Sequence, residues 1–119
     1  MSDLPKKLPY RYEFDPDEVE AIADCNERHG FAVVKRLLPP DLVERLKAEV
    51  RATLEDESDT RPGTTRFSTN FIELSPTLAG LMTYEPYMNV VRRLYDHAPI
   101  TLNRSAAIYK KPGAPVGPW

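Results

Sequence analysis

A chain of 119 residues, 41% of them hydrophobic and 29% charged, has room for one ordinary globular domain and not for two. A net charge of −2 and a pI near 5.7 supply no basic field, which argues against nucleic acid as a partner. No apolar run approaches the ~20 residues of a membrane span, the first residues lack the apolar stretch of a secretory signal, and the single Cys25 excludes an internal disulfide and suits a reducing, cytoplasmic setting.

Residues 1–14 read as an extended arm in which Tyr10, Tyr12 and Phe14 alternate. A helix is predicted next. Asp15 is suited to the N-cap, Pro16 to the first helical position and Glu18 to the far end of a capping box. Val19, Ile22, Ala23 and Asn26 mark one face, and Gly30 is the stop. The apolar run 31–38, with Val33 and Val34, reads as a strand ended by Pro39 and Pro40. A second helix is predicted over 40–57, with Leu42, Val43, Leu46, Val50 and Leu54 in one stripe. On its charged face Arg45 can pair with Glu49, and Arg51 with Glu55, at i,i+4.

Residues 56–65, polar and holding Pro62 and Gly63, read as a loop, and 67–74 as a second short strand. Ser75 and Pro76 start a helix of one or two turns; Glu85 and Pro86 start another through Tyr95, burying Tyr87, Val90, Val91, Leu94 and Tyr95. The last element is a strand over 100–109. Thr101, Asn103, Ser105, Ala107 and Tyr109 point one way; Ile100, Leu102, Arg104, Ala106 and Ile108 point the other. A small-and-polar face opposite an apolar one suits a barrel strand lining a cavity.

Motifs that carry chemistry by themselves are missing. Neither His29 nor His97 has a carboxylate two residues on, so no His-x-Asp metal arm is present; both read as residues at or beyond helix C-termini. Cys25 falls mid-helix, away from the helix N-terminus that would activate it. Arg61, Pro62 and Gly63 make no phosphate loop. The acidic run Glu55, Asp56, Glu57 and Asp59 reads as a solvated helix exit.

Three stretches together resemble a known family. The first is the run from His29, Gly30 and Phe31 through Val33 and Val34 to Pro39, Pro40, Asp41 and Leu42, followed by an amphipathic helix. The second is Tyr84, Glu85 and Pro86 leading into Val90, Val91, Arg92, Arg93 and Leu94. The third is Ala107, Ile108, Tyr109, Lys110, Lys111, Pro112 and Gly113 running to Gly117, Pro118 and Trp119. In this order they are similar to the opening of phytanoyl-CoA dioxygenase-like proteins, over nearly the whole chain after residue 15.

That resemblance implies an α+β fold: N-terminal helices packed on the first strands of a double-stranded β-helix, or jelly roll, over residues 15–119. It implies an iron oxygenase that uses Fe(II) and 2-oxoglutarate to hydroxylate a small-molecule or acyl substrate. Its metal ligands belong to a His-x-Asp motif and a later His that lie beyond Trp119 in the family pattern. The chain therefore reads as an N-terminal fragment, inactive alone and expected to bind neither iron nor 2-oxoglutarate. Arg66 is the nearest match to a basic residue that contacts the cosubstrate, and Asn103, Ser105, Ala107 and Tyr109 would face the pocket. Open strand edges would favour self-association. The competing reading is a small non-catalytic interaction module.

Overall fold

The apolar side chains collect into two clusters rather than one, and the computed structural model, which describes residues 7–56 and 58–114, divides accordingly into two units. In chain order the elements are β1 (Glu13–Phe14), α1 (Val19–His29), β2 (Val33–Val34), α2 (Pro40–Leu54), β3 (Thr65–Ser68), α3 (Phe71–Leu74), α4 (Pro76–Gly80), a 3-10 turn (Leu81–Thr83), α5 (Glu85–Leu94) and β4 (Ala107–Lys110). Among the described residues no helix is long and apolar enough to cross a membrane.

The first unit joins the residues up to Leu38 with Thr83–Ile100. Strands β1 and β2 pair in parallel, Glu13 with Val33 and Phe14 with Val34, and α1 makes the crossover between them. Phe14, Ile22, Cys25 and Val90 form the core, with Tyr12, Val19, Ala32 and Val34 around it. The segment expected to be an arm thus places Phe14, 5% exposed, in that core. Helix α1 begins later than the sequence implies. Asp15 is not its N-cap; the Glu18 carboxylate accepts the Asp15 amide (2.8 Å) and the Arg11 guanidinium (2.6 and 2.7 Å), while the Asp15 side chain bonds Arg36. Gly30 ends the helix in the left-handed conformation at φ 80°, its amide donating to Asn26 (2.8 Å). The buried face is Ile22, Ala23 and Cys25; Asn26 is exposed.

The strand expected over 31–38 reduces to Val33–Val34, because its partner β1 is only two residues long. Helix α5 buries Val90 and half-buries Tyr87 and Val91, but Leu94 and Tyr95 are exposed, as the chain leaves the helix there.

The second unit comprises Pro39–Met82 and the residues from 101 onward. Helix α2 ends at Leu54 rather than 57. Its predicted i,i+4 pairs do not form as expected. Arg45 meets Asp41 (3.5 Å), and Glu49 turns inward to accept from Ser75 Oγ (2.5 Å), Thr77 Oγ1 (2.9 Å) and the Thr77 amide (3.3 Å). Ser75 is fully buried and in turn accepts the Leu78 amide (3.0 Å), capping α4. A cap that is both buried and charged wins Glu49 from an exposed pairing worth only ~0.3–0.5 kcal/mol. Leu54, Phe71 and Ala107 form the core, with Val50, Leu78 and Tyr109 packed on it.

Strands β3 and β4 make an antiparallel ladder, pairing Thr65 with Lys110, Arg66 with Tyr109, Phe67 with Ile108 and Ser68 with Ala107. The strand expected over 67–74 stops at Ser68. Had it continued, Phe71 would share the outward face of Phe67, which is 66% exposed. The helical turn α3 rotates Phe71 into the core instead, at 3% exposure. Likewise β4 is only the last part of the strand expected over 100–109. Residues 101–104 are irregular, and Ser105 makes a single bridge to Asn70, because β3 offers no partner beyond Ser68.

Candidate functional site

The β3–β4 ladder has two unlike faces, and alternation along each strand decides which side chain goes where. Arg66 and Tyr109 are cross-strand partners on the face toward α2, with Ala107 buried two residues before Tyr109. On the same side, the Ser105 hydroxyl accepts the Ile72 amide (3.1 Å), satisfying the first turn of α3. Tyr109 packs against the Leu54, Phe71 and Ala107 cluster.

A charge network closes the end of this ladder. Asp56 accepts from the Ser58 amide (3.0 Å) and hydroxyl (2.5 Å), and Asp59 from Arg61 Nε and Nη2 (2.9 Å each). Arg66 bridges both carboxylates, at 2.9 Å to Asp56 and 3.3 Å to Asp59. The Lys111 ammonium donates to the Asp59 carbonyl. The Arg61 contacts, with those of Arg66, hold the Asp59 carboxyl far below the usual carboxylate range; the Ser58 bonds, with Arg66, lower Asp56.

The residues expected to contact a cosubstrate therefore occupy three settings. Arg66 has its guanidinium taken up by Asp56 and Asp59. Ser105 and Tyr109 lie on the covered face, and Asn103 is exposed in the irregular segment. Structure brings Arg66 and Tyr109 together but leaves Asn103 apart.

The opposite face is open. Phe67, Thr69, Arg104, Ala106 and Ile108 line a groove of about 280 Å³ on it. Positions 104, 106 and 108 are the alternate set that the sequence places together, with Arg104 as its one charged member. This charge on an otherwise apolar face was the available signal for the groove. A second, wider groove of about 400 Å³ in the first unit includes Arg11, Glu13, Asp15, Lys35 and Arg36. There Lys35 pairs with Glu13 (3.2 Å), Arg36 with Asp15, and Arg11 with Glu18, so its charges are largely spent internally.

Comparison with protein-family models, with characterised proteins and with solved structures returned no match to this chain. Nor do the described residues fit an iron centre: no three His, Cys, Asp or Glu side chains converge among them. His29 stacks on Tyr10, ring centroids 3.6 Å apart, and the buried Cys25 thiol donates to the carbonyls of Phe31 (3.4 Å) and Arg11 (3.6 Å).

Proposed function

We propose that this chain supplies helical cover and the first strands of an Fe(II)/2-oxoglutarate-dependent oxygenase of the phytanoyl-CoA dioxygenase type, acting in the cytoplasm on a small-molecule or acyl substrate. The iron would be held by residues outside this chain, and the chemistry it would supply uses dioxygen as the oxidant, one oxygen atom entering the substrate C–H bond and the other the succinate formed as 2-oxoglutarate loses CO2.

The observation that carries the reading is the two-faced ladder. Helix α2 covers one side, through Leu54 and Val50, while the other exposes Phe67 and Ile108. Each of β3 and β4 also has one edge without a strand partner among the described residues. A jelly roll stacks two sheets face to face, about 10 Å apart, around a shared interior. A first sheet in such a fold needs a helix-covered outer face, an apolar inner face and edges free to take further strands. The order of the resembling stretches along the chain agrees with that placement.

The test is to follow the coding sequence past codon 119, produce the protein it encodes, and measure succinate formed from 2-oxoglutarate with Fe(II) present. The reading expects a His-x-Asp motif shortly after Trp119 and 2-oxoglutarate turnover lost when that His is replaced. A reading frame that closes without such a motif would sink it.

A further inference from the structure

We infer that the open face of the β3–β4 ladder is a binding groove for a short aliphatic monocarboxylate, with Arg104 as its anion partner and Phe67, Ala106 and Ile108 as its apolar floor. The inference concerns binding by this chain itself and needs neither iron nor the oxygenase reading.

Charge pairing separates Arg104 from the other arginines. Arg11, Arg28, Arg36, Arg45, Arg61, Arg66, Arg92 and Arg93 each meet a carboxylate. Among the described residues Arg104 and Arg51 have no such partner. Arg51 is exposed on α2 and lines neither of the two grooves described above, whereas Arg104 borders the apolar hollow. A guanidinium is a permanent cation with donors arranged for a carboxylate.

The floor fixes the rest of the ligand. Phe67 and Ile108 face each other across the ladder, and Thr69, Ala106 and Arg104 line the groove with them. At about 280 Å³ the groove falls just below the ~300–1,000 Å³ of drug-sized sites, so it suits a small ligand. Arg104 is the one charged residue among those lining the groove, so a monocarboxylate with a single aliphatic chain gives that cation a partner and lays its chain on Phe67, Ala106 and Ile108.

Octanoate and octan-1-ol separate the charge from the chain. Titrated into the ¹⁵N-labelled chain below the micellar concentration, octanoate is expected to shift the amides of 67–69 and 104–108, and to bind about tenfold or more tightly than octan-1-ol. Arg104→Gln should bring the two ligands to equal affinity, and Arg51→Gln should leave the preference intact. Ala106→Phe should weaken both by filling the groove. Arg104 is exposed and makes no described pair, so its variant is expected to keep the parent's circular dichroism. Equal affinity for the two ligands in the parent chain overturns the inference. So do a preference that Arg51→Gln removes as fully as Arg104→Gln, shifts confined to other residues, or no binding.

Discussion

Phe67 and Ile108 stand opposite each other on the β3–β4 ladder, and both are open to solvent, at 66% and 50% exposure. Cross-strand apolar pairs ordinarily help hold a sheet to its neighbours in the core. Here the core of the unit lies on the other side, around Leu54, Phe71 and Ala107. The Phe67–Ile108 pair therefore lies on the solvent side of the ladder, outside the core that stabilises this unit.

Replacing this pair tests that placement. Phe67→Thr with Ile108→Thr keeps strand-favouring residues and removes exposed apolar area, so the change in folding free energy should stay within about 0.5 kcal/mol. Self-association, which open edges beside apolar side chains promote, should fall. Sedimentation velocity over a concentration series reads this directly, and an unchanged distribution of species would move the contact to another surface.

Arg66 offers the clearest stability test among the residues with an expected cosubstrate role. Its guanidinium joins Asp56 and Asp59, and the Asp59 side chain is only 6% exposed. Removing it leaves that carboxylate with Arg61 alone. Arg66→Ala is expected to lower the melting midpoint by several degrees, on the order of 5 °C, and to speed amide exchange across 56–64. Arg66→Lys, which keeps the charge but not the forked geometry, should fall between. A midpoint that does not move would mean solvent screens both pairs.

Local signals wrote much of this fold into the sequence; partner-dependent ones did not. Gly30 ends α1, Ser75 and Pro76 open α4, and Glu85 and Pro86 open α5, because capping and proline chemistry act within a few residues. Strand lengths depended on partners distant in sequence. Run 31–38 had the composition of a strand but met only Glu13 and Phe14, and of 67–74 only Phe67 and Ser68 stayed in a strand while 71–74 turned helical, because burial of Phe71 outweighed strand propensity. The site divided the same way. Alternation put Arg104, Ala106 and Ile108 on one side, but which side α2 would cover is a tertiary fact. That is why the polar face with Ser105 and Tyr109, the expected pocket lining, lies under the helix.

Glu49 gives the chain a pH-dependent element. Its burial works to raise its pKa, but the bonds from Ser75 and Thr77, together with the charge of Arg45, outweigh it and leave the carboxyl below its ordinary 4.5. With the folded value lowered, the stabilisation is complete above the unfolded carboxyl's pKa and is lost as pH falls through the folded one. Glu49→Gln should therefore cost about 1–2 kcal/mol at pH 7, and the gap between variant and parent should narrow on acidification below about pH 4. Chemical denaturation at the two pH values measures that gap. If it stays constant, the network owes nothing to the charge of Glu49.

Gly63 and Gly30 share a left-handed backbone and differ in what surrounds it. Gly63 has φ 71°, and a Cβ there would lie 2.9 Å from the Gly113 carbonyl oxygen and 3.3 Å from its carbon; at Gly30, φ 80°, a Cβ would meet nothing within 4 Å. The close neighbour is backbone, held in place because the Gly63 amide donates to Pro112 (3.3 Å) and the Lys111 amide donates to Thr64 (3.0 Å). It cannot swing aside as a side-chain tip would. Gly30→Ala should thus cost only the conformational term, about 1–2 kcal/mol. Gly63→Ala should cost that plus displacement of the turn at 111–114, about 2–4 kcal/mol together. Urea denaturation of both variants gives the comparison, and cross-strand contacts between Thr65 and Lys110 report whether the ladder end opens. Equal costs would show that the Gly113 turn yields freely and that the close approach at Gly63 does not hold this end of the ladder.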